Sequence, residues 1–166
     1  MKKILVVFLS FLLLFVLIGC QQDEEVDVVT TASIVNDADS VVNGLSKDGV
    51  WIVATLNDIT LKEDLMVEGE FTDDGDVVRK LALYTQDEDR NITASFTLTA
   101  PKMIVKSENF KIQGGTFKGD VYVEANGFQI SKQQIIEGNL IFKTQEYMDS
   151  FIMKDDAKVT GSMKVE

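Results

Sequence analysis

Few side chains in this 166-residue chain could do covalent or acid–base chemistry. There is no histidine, and Cys20 is the one cysteine. Without imidazole there is no Ser–His or Cys–His nucleophile system and no His-based zinc site. What remains is carboxylate: 27 Asp and Glu stand against 16 Lys and Arg, for a formal net charge of −11. Acids clustered on one face of a β-rich scaffold can cleave glycosidic bonds, and Asp120, Glu124 and Glu137 are the candidates here. Their places beside glycines and at outward strand positions fit plain solvation better. Two acidic runs offer oxygen ligands for calcium: Asp73, Asp74 and Asp76, and the one-three-five set Asp87, Asp89 and Asn91. Ile92 stands where an EF-hand loop needs glycine, and no glutamate fills its twelfth position. Charged loops without a metal are the expectation. Gly114-Gly115 lies between strand patterns and suits a turn rather than a phosphate-cradling loop. The residues therefore predict neither an enzyme nor a cofactor.

Cys20 has a context of its own. Lys2 and Lys3 precede an apolar run from Ile4 to Ile18, the charged and hydrophobic regions of a secretory signal. At about 15 residues the run is short for a membrane-spanning helix, which needs roughly 20. It ends Leu17-Ile18-Gly19-Cys20, which resembles the bacterial lipobox. That resemblance implies a diacylglycerol thioether on Cys20, cleavage before it, and an extracytoplasmic domain anchored to the cell membrane through palmitate-type acyl chains. Removal of residues 1–19 takes Lys2 and Lys3 away and leaves 14 cationic against 27 acidic residues, about −13. Such a surface repels nucleic acid and anionic lipid while keeping an exported β protein soluble. A lipidated Cys20 leaves no thiol for a disulfide. Gln21 follows the cysteine; in a two-membrane bacterium this resembles outer-membrane sorting.

The elements that would carry a function are written as a repeat. Phe110-Lys-Ile112, Phe128-Gln-Ile130 and Phe151-Ile-Met153 each open a unit. Each leads to an apolar residue, a spacer and a glycine: Phe117-Lys-Gly119, Ile136-Glu-Gly138, Val159-Thr-Gly161. Alternating apolar residues follow: Val121-Tyr-Val123, Leu140-Ile-Phe142, Met163-Lys-Val165. A fourth copy reads Ile59-Thr-Leu61 and then Val67-Glu-Gly69. Period-two alternation predicts short strands with one buried face, and the glycine predicts a turn or a close backbone approach. Repetition of such units is the signature of a solenoid, in which only stacked coils bury the apolar face. An antiparallel sandwich is the competing architecture. Asn126-Gly127 is the best hairpin signal within the repeats, and the phrases recur in one direction rather than mirrored.

The repeat resembles that of polymer-forming cytoskeletal proteins, the bactofilins, over about 59–71 and 110–165. The resemblance implies a single-stranded right-handed β-helix and end-to-end self-association. Asn109 to Phe117 would equally suit a pectin-lyase-like β-helix. Bactofilins are generally cytoplasmic, whereas the leader predicts export, so the architecture and the self-association are what carry over.

The expected organisation is a lipoprotein signal peptide at 1–19, with a helical signal segment, then a lipidated cysteine and acidic flexible linker at 20–40. An all-β solenoid domain of about five or six coils follows at 41–166. No amphipathic helix is expected after the signal. Residues 72–91 interrupt the repeat with charged loops, and Pro101 marks a corner. The expected function is a structural, self-associating cell-envelope scaffold, with Val159, Met163 and Val165 at a candidate stacking end. The expected partners are membrane lipid through acylated Cys20, further copies of the chain and a cell-wall or glycan contact, but no nucleic acid. A carbohydrate-binding or carbohydrate-degrading β-helix at the cell surface is the alternative, and a calcium-dependent adhesin a third reading.

Overall fold

The structure is a computed structural model and describes residues 32–166. Its fold is mostly β, and its main sheets are parallel, as in the β-solenoid class. Strands β1 (Ala32–Val35), β2 (Ile52–Thr55), β7 (Arg79–Ala82), β11 (Phe110–Gln113), β13 (Gln129–Ser131) and β16 (Ile152–Met153) form one six-stranded ladder. The second sheet runs as two ladders side by side. One orders β3 (Ile59–Thr60), the first part of β10 (Thr97–Val105), the first part of β12 (Thr116–Val123), β14 (Ile135–Glu137) and β17 (Lys158–Val159). The other orders β4 (Leu65–Val67), the later parts of β10 and β12, β15 (Leu140–Phe142) and β18 (Met163–Val165). The alternation read in the sequence points inward as expected: Phe110, Ile112, Phe117, Val121, Val123, Phe128, Ile130, Ile136, Leu140 and Phe142 are buried in one core. Phe110 stacks on Phe128 at 6.1 Å between ring centroids, and Phe128 on Phe151 at 5.7 Å.

Two antiparallel hairpins stand outside the ladders, built around the stretches 72–76 and 86–91 that the sequence reads as charged loops. They are β5 (Thr72–Asp73) with β6 (Asp76–Val77), and β8 (Tyr84–Gln86) with β9 (Ile92–Ser95). The base of the second hairpin explains Gly114-Gly115. Left-handed backbone also occurs at the equivalent corners Lys132-Gln133 and Asp155-Asp156, without glycine. At Gly115 alone among these, a Cβ would lie 2.3 Å from the Phe96 carbonyl oxygen and 2.4 Å from that of Leu83; at Gly114 it would strike the Tyr84 ring. The hairpin base, rather than the turn, excludes side chains there.

Three expectations are corrected at the N-terminal side. Residues 32–40 are not linker: β1 pairs in register with β2, so the folded domain begins no later than Ala32 rather than at residue 41. An amphipathic helix follows, α1 (Ala38–Leu45), with Val41 and Leu45 fully buried. Asp37 caps it, accepting from the Ser40 amide at 2.9 Å and the Ser40 hydroxyl at 2.7 Å. These bonds, the hydroxyl's first, hold the Asp37 carboxyl below its usual range. The fourth repeat copy is also out of phase. Val67 pairs with Val105, and it is Ile59 that stands in line with Leu98 and Phe117.

Helix α1 packs against β1, β2 and β4, and one buried side chain fastens it. Arg79 occupies the ladder position next to Phe110, in line with the aromatic stack. Its guanidinium donates to the carbonyl of Gly44 at 2.7 Å, to that of Ser46 at 2.8 Å, and to that of Glu68. It also lies 4.1 Å from the centre of the Phe71 ring. Two of these carbonyls are at the C-terminal end of α1, where the helix dipole favours a cation. Burial pushes the guanidinium down to about 10, so it stays charged at neutral pH. Replacing Arg79 with Met keeps the apolar stem but removes three hydrogen bonds; the Gly44 and Ser46 carbonyls keep the Val50 and Gly49 amides, while the Glu68 carbonyl loses its donor, a cost of about 1–3 kcal/mol. We expect Arg79→Met to lower stability by about 3 kcal/mol, read as a drop in the urea midpoint at unchanged slope.

Candidate functional site

The repeat glycines gather into a column at the corner between the two ladders of the second sheet, with one exception. The β12/β14 and β12/β15 registers place Gly119 opposite Gly138, and β14/β17 with β15/β18 places Gly138 opposite Gly161. A Cβ on Gly138 would stand 2.1 Å from the Gly119 carbonyl oxygen, and one on Gly161 2.4 Å from that of Gly138. Gly119 faces the Ala100 carbonyl in the same way, also at 2.1 Å. Here Ala100-Pro101 inserts an extra residue, a register irregularity between Thr99 and Lys102 that bears out Pro101 as a corner. Gly69 does not join the column. It lies beyond β4 with φ +100, where a Cβ would meet the Lys47 carbonyl at 2.7 Å and the Phe71 ring at 2.8 Å.

The acids named as catalytic candidates each have a neighbour on the next strand. Asp120 accepts from the Asn139 amide at 2.8 Å and from its side chain at 3.0 Å, and Asn139 in turn accepts from Ser162. Glu124 meets Lys143 at 2.9 Å and Glu137 meets Lys118 at 3.8 Å. The Glu124 contact holds the Lys143 ammonium above its usual value. In the second hairpin, Asp87 turns its carboxylate onto the Asn91 amide and side chain at 2.8 and 3.1 Å, and these bonds keep it below the usual range. Among the described residues no three acids, cysteines or histidines are grouped to hold a metal. Cys20 and the lipobox residues Leu17, Ile18 and Gly19 lie outside the described residues.

Val159, Met163 and Val165 come together on the last strands. β16, β17 and β18 each pair on one side only among the described residues, with β13, β14 and β15. The registers put Met153, Val159, Met163 and Val165 directly over the buried Ile130, Ile136, Leu140 and Phe142. Met153 and Met163 are 45% and 44% exposed, so the inward row of the core reappears here as surface. Phe151 ends the aromatic stack at the same face. Sequence reasoning missed Phe151 and Met153 as members of this face, although both stand in its quoted repeat phrases. Residues 151–166 hold three lysines and three acids, so this face is neutral although the chain carries −11.

The opposite end is chemically different. α1 lies over β1, β2 and β4, and Arg79 fills the core position next to Phe110. Among the described residues β1, β3 and β4 also pair on one side only at that end, but α1 packs on β1 and β4 there, whereas Met153 and Met163 are left exposed at the other.

Compared with known proteins, the chain matches no family model, no curated protein and no solved structure.

The glycine column predicts a graded response. Gly138→Ala forces a methyl group against a backbone oxygen and should cost about 2–3 kcal/mol, the upper range for overpacking. Gly75→Ala, at φ +90 with nothing within 4 Å, should cost only the left-handed backbone penalty, about 1 kcal/mol. Urea unfolding of the two variants checks the order.

Proposed function

We propose that this chain is an exported structural module of a bacterial cell envelope. It is held to the membrane through acylated Cys20 and associates with further copies of itself through its open end. In this reading the parallel ladders are a right-handed β-helix of about five or six coils, and the acidic residues before Ala32 tether it to the lipid. The observation that carries the proposal is the open face: unpaired edges in all three ladders, around Phe151, Met153, Val159, Met163 and Val165. Unpaired strand edges over exposed apolar side chains are a template for pairing with another chain, and the local neutrality of this face removes the repulsion that the rest of the surface would impose.

The α1-covered end is unlike the open one, so a direct head-to-tail join would have to displace α1 and its Arg79 contacts. The same open face on a second copy is the better complement, since both bring apolar side chains and both signs of charge. Assemblies longer than a pair then need another contact.

Electron microscopy and light scattering on the chain from Gln21 onward, across concentration and salt, test the association. The expected result is a dimer or filament that Met163→Lys or Val165→Lys dissolves while the circular dichroism spectrum is kept. A monomer at the highest attainable concentration removes the proposal. The anchor is tested separately by metabolic labelling with radioactive palmitate in a bacterial host. Label should enter the wild-type chain and be absent from Cys20→Ser.

A further inference from the structure

The outer face of β4, β10, β12, β15 and β18 carries three rows, with one residue from each strand in each row. These strands turn Leu65, Val67, Met103, Val105, Val121 and Val123 into the core, so the middle row faces outward, yet it is apolar. Met66, Ile104, Tyr122 and Ile141 follow one another in register, and Lys164 ends the row. Met66, Ile104 and Tyr122 are partly exposed, and Ile141 is 5% exposed. One flanking row alternates in sign along the stack: Glu68, Lys106, Glu124, Lys143 and Glu166. Lys106 meets Glu68 and Lys143 meets Glu124, each at 2.9 Å. The other row starts in the same phase with Asp64, Lys102 and Asp120, and ends in the neutral Asn139 and Ser162. Lys102 lies 3.3 Å from Asp64 and 5.4 Å from the centre of the Tyr122 ring. The side chains of these ion pairs are 31% to 53% exposed, so a partner can reach them. Five acids and four lysines leave the face nearly neutral in a chain of −11.

We propose that this face docks on the same face of a second copy, the two stacks opposed in direction about a two-fold axis between β10 and β12. The alternation of charge selects that arrangement. Parallel stacks with their strands level would set Asp64 against Glu68 and Lys102 against Lys106, and opposed stacks centred on a strand would set like on like. With the axis between β10 and β12, Lys106 meets the partner's Glu124, Glu68 the partner's Lys143 and Lys102 the partner's Asp120. In the middle row Ile104 lies over the partner's Tyr122, and Met66 reaches the margin formed by the partner's Ile141. Every such contact occurs twice, as a two-fold interface requires. Strands about 4.8 Å apart and outward residues two positions apart give a face of roughly 20 Å by 13 Å. That falls well short of the about 800 Å² per partner that a stable complex buries. Alone the contact is weak, but an end-joined pair presents two such faces, and multivalency strengthens their combined hold. It is the further contact that assemblies longer than a pair need, and in this it rests on the association proposed above.

Sedimentation velocity of the chain from Gln21 onward, which keeps every described residue, separates the two contacts. The wild type is expected to form assemblies longer than a pair, Tyr122→Lys to stop at the pair, and Met163→Lys to be monomeric. A short bismaleimide on single cysteines reads the geometry, since the chain without Cys20 holds no thiol of its own. Across the two-fold axis Tyr122→Cys lies one strand spacing from its symmetry mate along the stack and should give covalent dimers. Met66→Cys, on the same row, lies three spacings from its mate, about 14 Å, and should not. Where Tyr122→Lys fails to keep its circular dichroism spectrum, the cross-link decides. Long assemblies that Tyr122→Lys leaves intact, or equal cross-linking of the two cysteine variants, overturn the proposal while the open-end association stands. So does a wild-type pair that only Met163→Lys dissolves. A pair that Tyr122→Lys dissolves and Met163→Lys does not keeps this contact and removes the open-end one. A monomer that Tyr122→Cys does not cross-link removes both.

Discussion

No strand of the three ladders finds its partner in the adjacent stretch of chain. Ile112 pairs with Ile130 and Leu81, and Phe117 with Leu98 and Ile136, each on a different passage of the chain. Every buried backbone amide in the ladders therefore depends on the passage before or after it. Close approach is the condition for this. The glycine column meets it at the corner, where Gly119, Gly138 and Gly161 lie against the carbonyl of the preceding passage. Where a larger residue stands, at Ala100-Pro101, the strand takes an extra residue and the register shifts. Core, corner and edge all follow from one passage fitting closely on the next.

That dependence makes the ends special, because an end passage has a neighbour on one side only. The first end is covered by a change of secondary structure. α1 turns Val41 and Leu45 onto the core, and Arg79 ties the helix end to the ladder through the carbonyls of Gly44, Ser46 and Glu68. A buried guanidinium without a carboxylate is a costly way to do this, but its rigid planar fork spreads its donors over three acceptors more widely than a compact ammonium does. Among the described residues the last strands are covered only in part. α2 (Gln145–Asp149) packs on β15 and β18, yet Met153 and Met163 remain exposed.

The repeat was legible wherever glycine and alternation coincide, from Phe110 to Val165. It was misread at Ile59–Gly69 because glycine has more than one use. Gly69 answers the crowding of Lys47 and Phe71 beside the α1 end, not the stacking of one passage on the next. α1 was missed because it has eight residues and presents two buried side chains, too few for a periodic signal, while its polar start at 37–40 reads like linker. The Asp37–Ser40 cap was the available clue. Residues 72–76 and 86–91 read as charged loops and Ile92 to Thr99 as alternation; that they pair as hairpins was not legible because most of these side chains are exposed, so no buried row marks the pairing. The places of Val159, Met163 and Val165 in the ladders were legible, because the last phrase copies the earlier ones and puts them over Ile136, Leu140 and Phe142.

The charge pattern of the two outer faces could not be read from composition, since a net −11 says nothing of which lysine meets which acid. Register decides it. Lys118 and Glu137 occupy adjoining strands at one level, so the pair forms only when β12 and β14 align correctly, and a one-residue slip of β14 would turn Glu137 inward, away from Lys118. The six-stranded sheet has no such outward pair holding its register. There the stacked Phe110, Phe128 and Phe151 rings and Ile112 on Ile130 hold it from within, and the Gln113–Ser131 bond adds a neutral pair on the outward row. Because alignment is fixed mainly from within, Lys80 and Lys111 can stand side by side in register without an ion pair between the strands.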